Sequence, residues 1–144
     1  MFDLKFDLDG AGAGLDRLVK ASASAVREAA QAGAEEFYIA AKLAAPVSEQ
    51  EHVFNIGGRK YGPYQPGNLR DSIYQVFSKS NSSHDKATYH VSFNKDKAPY
   101  GFMILRGTPR VPANDFIGFA FDRTRVQALE ISREVLLDAM RKEV

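Results

Sequence analysis

The sequence predicts an α+β fold in which an antiparallel β-sheet packs against a long N-terminal helix and a C-terminal helix. Three observations lead to this prediction: an alternating N-terminal segment, a long alanine-rich stretch with helical spacing, and short alternating segments followed by a second amphipathic stretch. The chain has 144 residues, of which 44% are hydrophobic. This length and this hydrophobic fraction predict one domain, 1–144, with a modest core.

A strand and then a long helix are the first predicted elements. Hydrophobic and charged residues alternate from position 2 to position 8, which is the period of a half-buried strand. From Leu15 to Ala45 the chain has the spacing of one helix, which Pro46 ends. Its predicted seam consists mostly of small residues: Leu15, Val19, Ser22, Val26, Ala29, Gly33, Phe37, Ala40 and Ala44. Small residues there allow the packed elements to approach closely.

Residues 47–66 form an excursion rich in glycine and proline, which we expect to protrude as a loop or hairpin. Gly57 and Gly58 are typical of a two-residue hairpin turn. Excursions of this length in small domains are usually functional or mobile. Tyrosine and arginine are enriched at protein interfaces, so we assign partner binding to Arg59, Lys60, Tyr61 and Tyr64. The same mixture of basic and aromatic residues can stack on nucleic acid, which remains an alternative.

Two strands are predicted after the excursion, in LRDSIYQVF and ATYHVSFN, with a polar turn, NSSHDK, between them. In the second strand Tyr89, Val91 and Phe93 are predicted to face inward. The next apolar segment, Tyr100 to Arg106, is too short for its periodicity to distinguish a strand from a helical turn.

An amphipathic helix is predicted to begin near Phe116, with Asn114 or Asp115 as its N-cap. Its polar stripe is predicted at Arg123, Gln127, Glu130, Glu134, Asp138 and Arg141. The opposite, apolar face is predicted at Phe121, Ala128, Val135, Leu136, Ala139 and Met140. Such a helix is expected to cover a sheet or another helix.

Composition argues against several classes of function. The sequence contains no cysteine, so disulfides, thiol catalysis and cysteine-ligated zinc are excluded. A net charge of +1 gives no strong field of the kind that dedicated nucleic-acid or membrane-surface binders use. No apolar run approaches the roughly 18 residues of a membrane helix, and the first residues lack the apolar region of a signal peptide. We expect a soluble, non-secreted domain that does not bind membranes.

No catalytic, metal or cofactor site is predicted. The glycines of GAGAG, 10–14, resemble a dinucleotide-binding turn, but Leu15 stands where the third glycine is required. The three histidines, His52, His84 and His90, include no pair with helical metal-ligand spacing. Serine, histidine and aspartate are neighbours in NSSHDK, and neighbours in a turn cannot align as nucleophile, base and orienting group. We therefore expect a protein that is not an enzyme and has no cofactor.

Three segments, in order, resemble motifs of a known family. They are AAKLAAP followed by PGNLRDSI, then APYGFMILRGT, and then PANDFIGFAFD at the last helix. They are similar to motifs of the head–tail connector (tail-completion, or neck) proteins of long-tailed bacteriophages. The matching positions are Pro46, Gly67, Leu69, Arg70, Ser72, Ile73, Tyr100, Gly107, Thr108, Phe116 and Ala120. The sequence departs from the pattern at Leu105-Arg106, where an acid is usual, at Asp115 and Phe119, which replace prolines, and in its longer excursion.

The resemblance implies a structural virion protein of the phage neck, found at the head–tail junction and in the host cytoplasm during assembly. Its partners would be copies of itself in a homo-oligomeric ring, a portal-side adaptor or head-closure protein, and a tail terminator or tail tube protein. DNA would pass through the channel without sequence-specific binding. The resemblance also favours a sheet element at 100–106, followed by a projecting basic elbow. Thr108 and Arg110 on that elbow complete the predicted partner-binding residues.

Overall fold

Two long helices and two small antiparallel sheets make up the computed structural model, which describes residues 2–7, 16–83 and 86–142. The elements in chain order are β1 (Phe2–Asp7), α1 (Asp16–Ala44), β2 (His52–Ile56), β3 (Arg59–Tyr64), α2 (Asn68–Asp71), β4 (Ile73–Phe77), β5 (Lys86–Phe93), α3 (Gly101–Arg106) and α4 (Phe116–Lys142), with a 3-10 turn at Lys79–Asn81. The predicted α+β class is confirmed. The GAGAG segment, 10–14, and His84 lie outside the described residues.

Strand β5 is the centre of the larger sheet, whose order is β1-β5-β4 with both pairings antiparallel. The side chains predicted to face inward are all buried: Tyr89, Val91 and Phe93. The other face is covered as well, because the segment after β4 folds over Thr88. The Thr88 hydroxyl donates to the Asn81 carbonyl at 2.9 Å, and its backbone N–H donates to Ser82 Oγ at 2.9 Å. Strand β5 thus has buried side chains on both faces, with Thr88 and Ser92 on the second.

Helix α1 packs on the sheet, and α4 packs along α1. The predicted seam of α1 is confirmed at the buried positions Val26, Ala29, Gly33 and Phe37, whereas Ala40 and Ala44 are half-buried. Leu15, Val19 and Ser22 of that seam lie outside the described side chains. Small residues let the two helices approach closely, and Phe37 stacks on Phe121 of α4 with ring centroids 5.2 Å apart. Among the described residues, no helix is both long and apolar enough to cross a bilayer.

In the segment 100–106, residues Gly101–Arg106 form the short helix α3, so the prediction of a sheet element there was wrong. After β5 the chain turns back at Asn94, whose side chain accepts hydrogen bonds from the backbone N–H groups of Asp96 and Lys97 at 2.9 and 3.2 Å. This turn carries Gly101 directly onto Phe93, so close that a Cβ there would lie 2.4 Å from the ring. The backbone of the segment then satisfies its hydrogen bonds locally as a helix.

The predicted strand LRDSIYQVF is shorter than expected, because its first residues form the helical turn α2. Gly67 precedes α2 in the left-handed conformation, with φ of 85°, which only glycine adopts without strain. Ser72 ends the turn by donating its hydroxyl to the Leu69 carbonyl at 2.6 Å. Strand β4 therefore begins at Ile73, which is buried.

Candidate partner-binding site

Strands β2 and β3 form the hairpin that the sequence predicts in the excursion. Gly57 and Gly58 both have positive φ, 58° and 79°, which suits the two-residue turn that matches strand twist. Arg59 and Lys60 follow the turn and are exposed. The hairpin therefore presents two positive charges at its tip.

An aromatic cluster anchors the root of this hairpin to the body of the protein. Its centre is Tyr100, which is only 1% exposed. Phe54 of β2 stacks on the Tyr100 ring at 4.4 Å between centroids, Tyr64 of β3 lies at 4.9 Å, and His52 meets the ring edge-on at 5.3 Å. Tyr64 was predicted to bind a partner, and these contacts make it half-buried and an anchor of the hairpin. Tyr61, also half-buried, lies opposite Phe54 in the hairpin.

The hydroxyl of Tyr100 joins α2 to the loop before α3. Asn68 donates through Nδ2 to this hydroxyl at 3.0 Å and to the Lys97 carbonyl at 2.9 Å. Burial raises the pKa of Tyr100, and the hydrogen bond from Asn68 offsets part of that effect. The neutral hydroxyl is thus the favoured form in the folded protein. Four motif residues line the pocket beside this hydroxyl: Pro46, Gly67, Leu69 and Tyr100.

A largely apolar pocket of about 220 Å³ opens beside the cluster, between the hairpin root and Ile104 of α3. Ser48 and His52 lie at this pocket, with Ser48 Oγ 3.1 Å from His52 Nδ1. The Ser48 hydroxyl donates to the Gln50 carbonyl at 2.8 Å. A hydroxyl has one hydrogen, so the Ser48 hydroxyl does not donate to His52 while it donates to Gln50. A nucleophilic serine would have to donate to its general base.

The elbow between α3 and α4 is held by its own hydrogen bonds. Thr108 Oγ1 accepts from the backbone N–H groups of Arg110 and Val111 at 3.3 and 3.1 Å, and the Thr108 N–H donates to the Val111 carbonyl at 2.8 Å. The Asn114 N–H donates to the Ile104 carbonyl at 2.8 Å, which ties the elbow to α3. Thr108 therefore shapes the turn, while the Arg110 side chain is exposed.

Asp115 caps α4, so of the two predicted caps it is the one the helix uses. Its Oδ1 accepts a hydrogen bond from the backbone N–H of Gly118 at 2.9 Å. The next residue, Phe116, is 1% exposed and anchors the start of the helix in the core.

The predicted site residues thus divide into two groups. The exposed members are the basic residues of the hairpin tip and the elbow: Arg59, Lys60 and Arg110. Most family-motif residues are structural, and five of them belong to one core cluster: Leu69, Ile73, Tyr100, Phe116 and Ala120. Pro46 and Arg70 lie nearer the surface, and Arg70 forms an ion pair with Asp71 at 3.0 Å.

Exposed hydrophobic residues on α4 were missed by sequence reasoning. Phe119, Val126, Leu129 and Leu137 are large side chains that face solvent. Their spacing of seven, three and eight residues follows the helical period, so it is a signal in the sequence. The polar and apolar faces predicted for this helix include none of the four residues.

Over the part of the chain that the structure describes, no group of three metal-ligating side chains comes together. Comparison with known proteins gives no relative: no family model, curated protein or solved structure matches this chain.

Proposed function

We propose that this protein is a structural subunit of a bacteriophage neck, which joins the capsid portal complex to the tail as part of an oligomeric ring around the DNA channel. One observation supports the proposal above others. The residues on which the family resemblance depends are those that hold the hairpin and the elbow in place. Tyr100 anchors the hairpin root, and Gly107 and Phe116 set the two ends of the elbow.

Projecting loops held by a rigid scaffold suit a protein that acts by binding other proteins. The hairpin tip presents Arg59 and Lys60 beyond a root that stacks on buried Tyr100, and the elbow presents Arg110 ahead of buried Phe116. Arginine is frequent among residues that dominate the energy of protein interfaces. In this role the partners are further copies of the chain, a portal-side adaptor or head-closure protein, and a tail terminator or tail tube protein. The proposed location is the head–tail junction of the virion.

Arg110 gives a direct test of the elbow. Arg110→Ala should change stability by less than about 0.5 kcal/mol, since the side chain is exposed. The same change should lower the yield of joined particles in a complementation assay counted by electron microscopy. Lys95→Ala, at another exposed position, is the matched control. Equal yields from the two variants would remove the elbow from the interface. Full yields from a phage without this protein would refute the neck function itself.

Nucleic-acid binding is the second candidate, favoured by the two adjacent exposed charges of the hairpin tip beside Tyr61. Affinity for a single-stranded oligonucleotide should then fall steeply with salt. Replacing Arg59 and Lys60 by alanine should reduce the slope of log affinity against log salt by about 1.4, because each phosphate contact contributes about 0.7. An unchanged slope would exclude the tip as a nucleic-acid site.

The absence of enzymatic activity is part of the proposal. The Ser48 hydroxyl supports it, since it donates to the Gln50 carbonyl and not to His52. Ser48→Ala and His52→Ala should leave every measured activity of the preparation unchanged. A hydrolase activity that copurifies with the protein and is lost in either variant would contradict this.

A further inference from the structure

The outward face of α4 carries an apolar strip. Phe119 is 56% exposed, Val126 64%, Leu129 53% and Leu137 36%. At a rise of about 1.5 Å per residue, the strip from Phe119 to Leu137 is about 27 Å long. Large exposed apolar patches mark interaction sites, and these four side chains lie along one side of the helix.

The strip is separate from the face of α4 that belongs to the core. Ala128 and Ser132 are fully buried, and Phe121 stacks on α1, on the side of the helix away from the strip. Between the strip residues, Asp122 and Arg133 are exposed. Together with Phe119, Val126 and Leu129 they follow the alternating three- and four-residue spacing of a coiled-coil seam, at 119, 122, 126, 129 and 133. The next seam position, 136, holds Leu136, which is half-buried and packs partly on the core.

We propose that this face pairs with the same face of a second copy of the chain, with the two α4 helices antiparallel. The charges select this occupant and this direction. When Val126 of one copy lies opposite Leu129 of the other, Asp122 lies opposite Arg133, and the pairing is repeated on the other side of the two-fold axis. A parallel pairing in register places Asp122 against Asp122 and Arg133 against Arg133, which is repulsive.

The borders of the seam agree with the antiparallel register. Exposed Arg123 and Glu130 lie one position after the seam residues Asp122 and Leu129, and antiparallel pairing brings Arg123 of one copy beside Glu130 of the other. At each end Phe119 of one copy lies opposite the half-buried Leu136 of the other, and Leu137 lies at the border of the seam. One register thus buries Phe119, Val126 and Leu129 and gives both sets of charges opposite partners.

A two-fold contact of this kind closes on itself and gives a dimer. A ring needs a different, head-to-tail surface. The pairing of α4 therefore goes beyond the proposed neck function, and either can fail without the other.

Sedimentation velocity of the full chain over a range of concentrations tests the pairing. The parent should show a reversible monomer–dimer equilibrium. Val126→Asp should abolish the dimer, and its unfolding curve at low concentration should match that of the parent because Val126 is mostly exposed. A parent that stays monomeric at high micromolar concentration overturns the proposal.

Charge reversal tests the register. Asp122→Arg alone and Arg133→Glu alone should each raise the dimer Kd at least about tenfold, since each places like charges in contact. An equimolar mixture of the two variants should associate as the parent does, because both contacts of the mixed dimer then join opposite charges. Lys95→Glu makes the same charge change as Arg133→Glu at another exposed site and should leave the Kd unchanged. A mixture that associates no better than its components overturns the proposal.

Discussion

Replacing Phe116 by alanine should lower the free energy of unfolding by about 3–5 kcal/mol, because the ring is 1% exposed in the core at the start of α4. Unfolding entropy is about 2.1 cal/mol/K per residue, which for 144 residues is about 0.3 kcal/mol/K. The expected fall in Tm is therefore about 10–16 °C. Thermal unfolding followed by circular dichroism measures it directly.

Phe119 provides a matched control on the same helix, three residues further on. Its ring is 56% exposed, so Phe119→Ala should change stability by less than about 0.5 kcal/mol. Both variants replace phenylalanine by alanine within the first turns of α4, so their difference reports burial and not helix propensity. Measurements at low protein concentration avoid a contribution from self-association. Equal falls in Tm would refute the assignment of Phe116 to the core.

Two further changes test the anchoring of the hairpin and the elbow. Tyr100→Phe should cost about 1 kcal/mol, because it removes the hydrogen bond from Asn68 and keeps the aromatic stacking. Burial raises the pKa of Tyr100, so the contribution of its neutral side chain to the free energy of unfolding is complete below about pH 10, the ordinary tyrosine value. That contribution is lost as the pH rises through the pKa that Tyr100 has in the folded protein. Between about pH 8 and about pH 11, the free energy of unfolding measured in urea should fall less in Tyr100→Phe than in the parent. Equal falls in the two proteins would contradict this. Gly107→Ala should cost about 1–3 kcal/mol, since φ is 76° and a Cβ would lie 2.6 Å from the Ala113 nitrogen. Gly57→Ala is the control, because Gly57 has φ of 58° but no atom lies near its Cβ position; it should cost only about 1–2 kcal/mol for the left-handed backbone. If both variants lose the same free energy of unfolding, the contact at Ala113 relaxes.

The candidate site was predictable to the extent that its residues depend on local chemistry. Adjacent glycines indicated the hairpin turn, and the basic residues after them are exposed as expected. The role of Tyr64 was not predictable, because the contact that half-buries it comes from Tyr100, 36 residues away in the chain. Thr108 was likewise predicted to bind a partner, whereas its hydroxyl accepts hydrogen bonds from the backbone of its own turn.

The sequence by itself determined the elements whose signals are long or stereochemically strict. The small-residue seam marked α1, Pro46 marked its end, and alternation marked β5. These signals act over one segment, so no knowledge of neighbours was needed.

Only the tertiary structure decided between strand and helix at 100–106, and between core and surface on α4. Residues 101–106 form a helix whose first residue, Gly101, packs on Phe93, a contact that no local pattern contains. On α4 the pattern shows hydrophobic residues on more than one side, and the position of α1 selects which side is buried. Phe121 is therefore a core contact and Val126 an exposed one, although both are hydrophobic residues of the same helix.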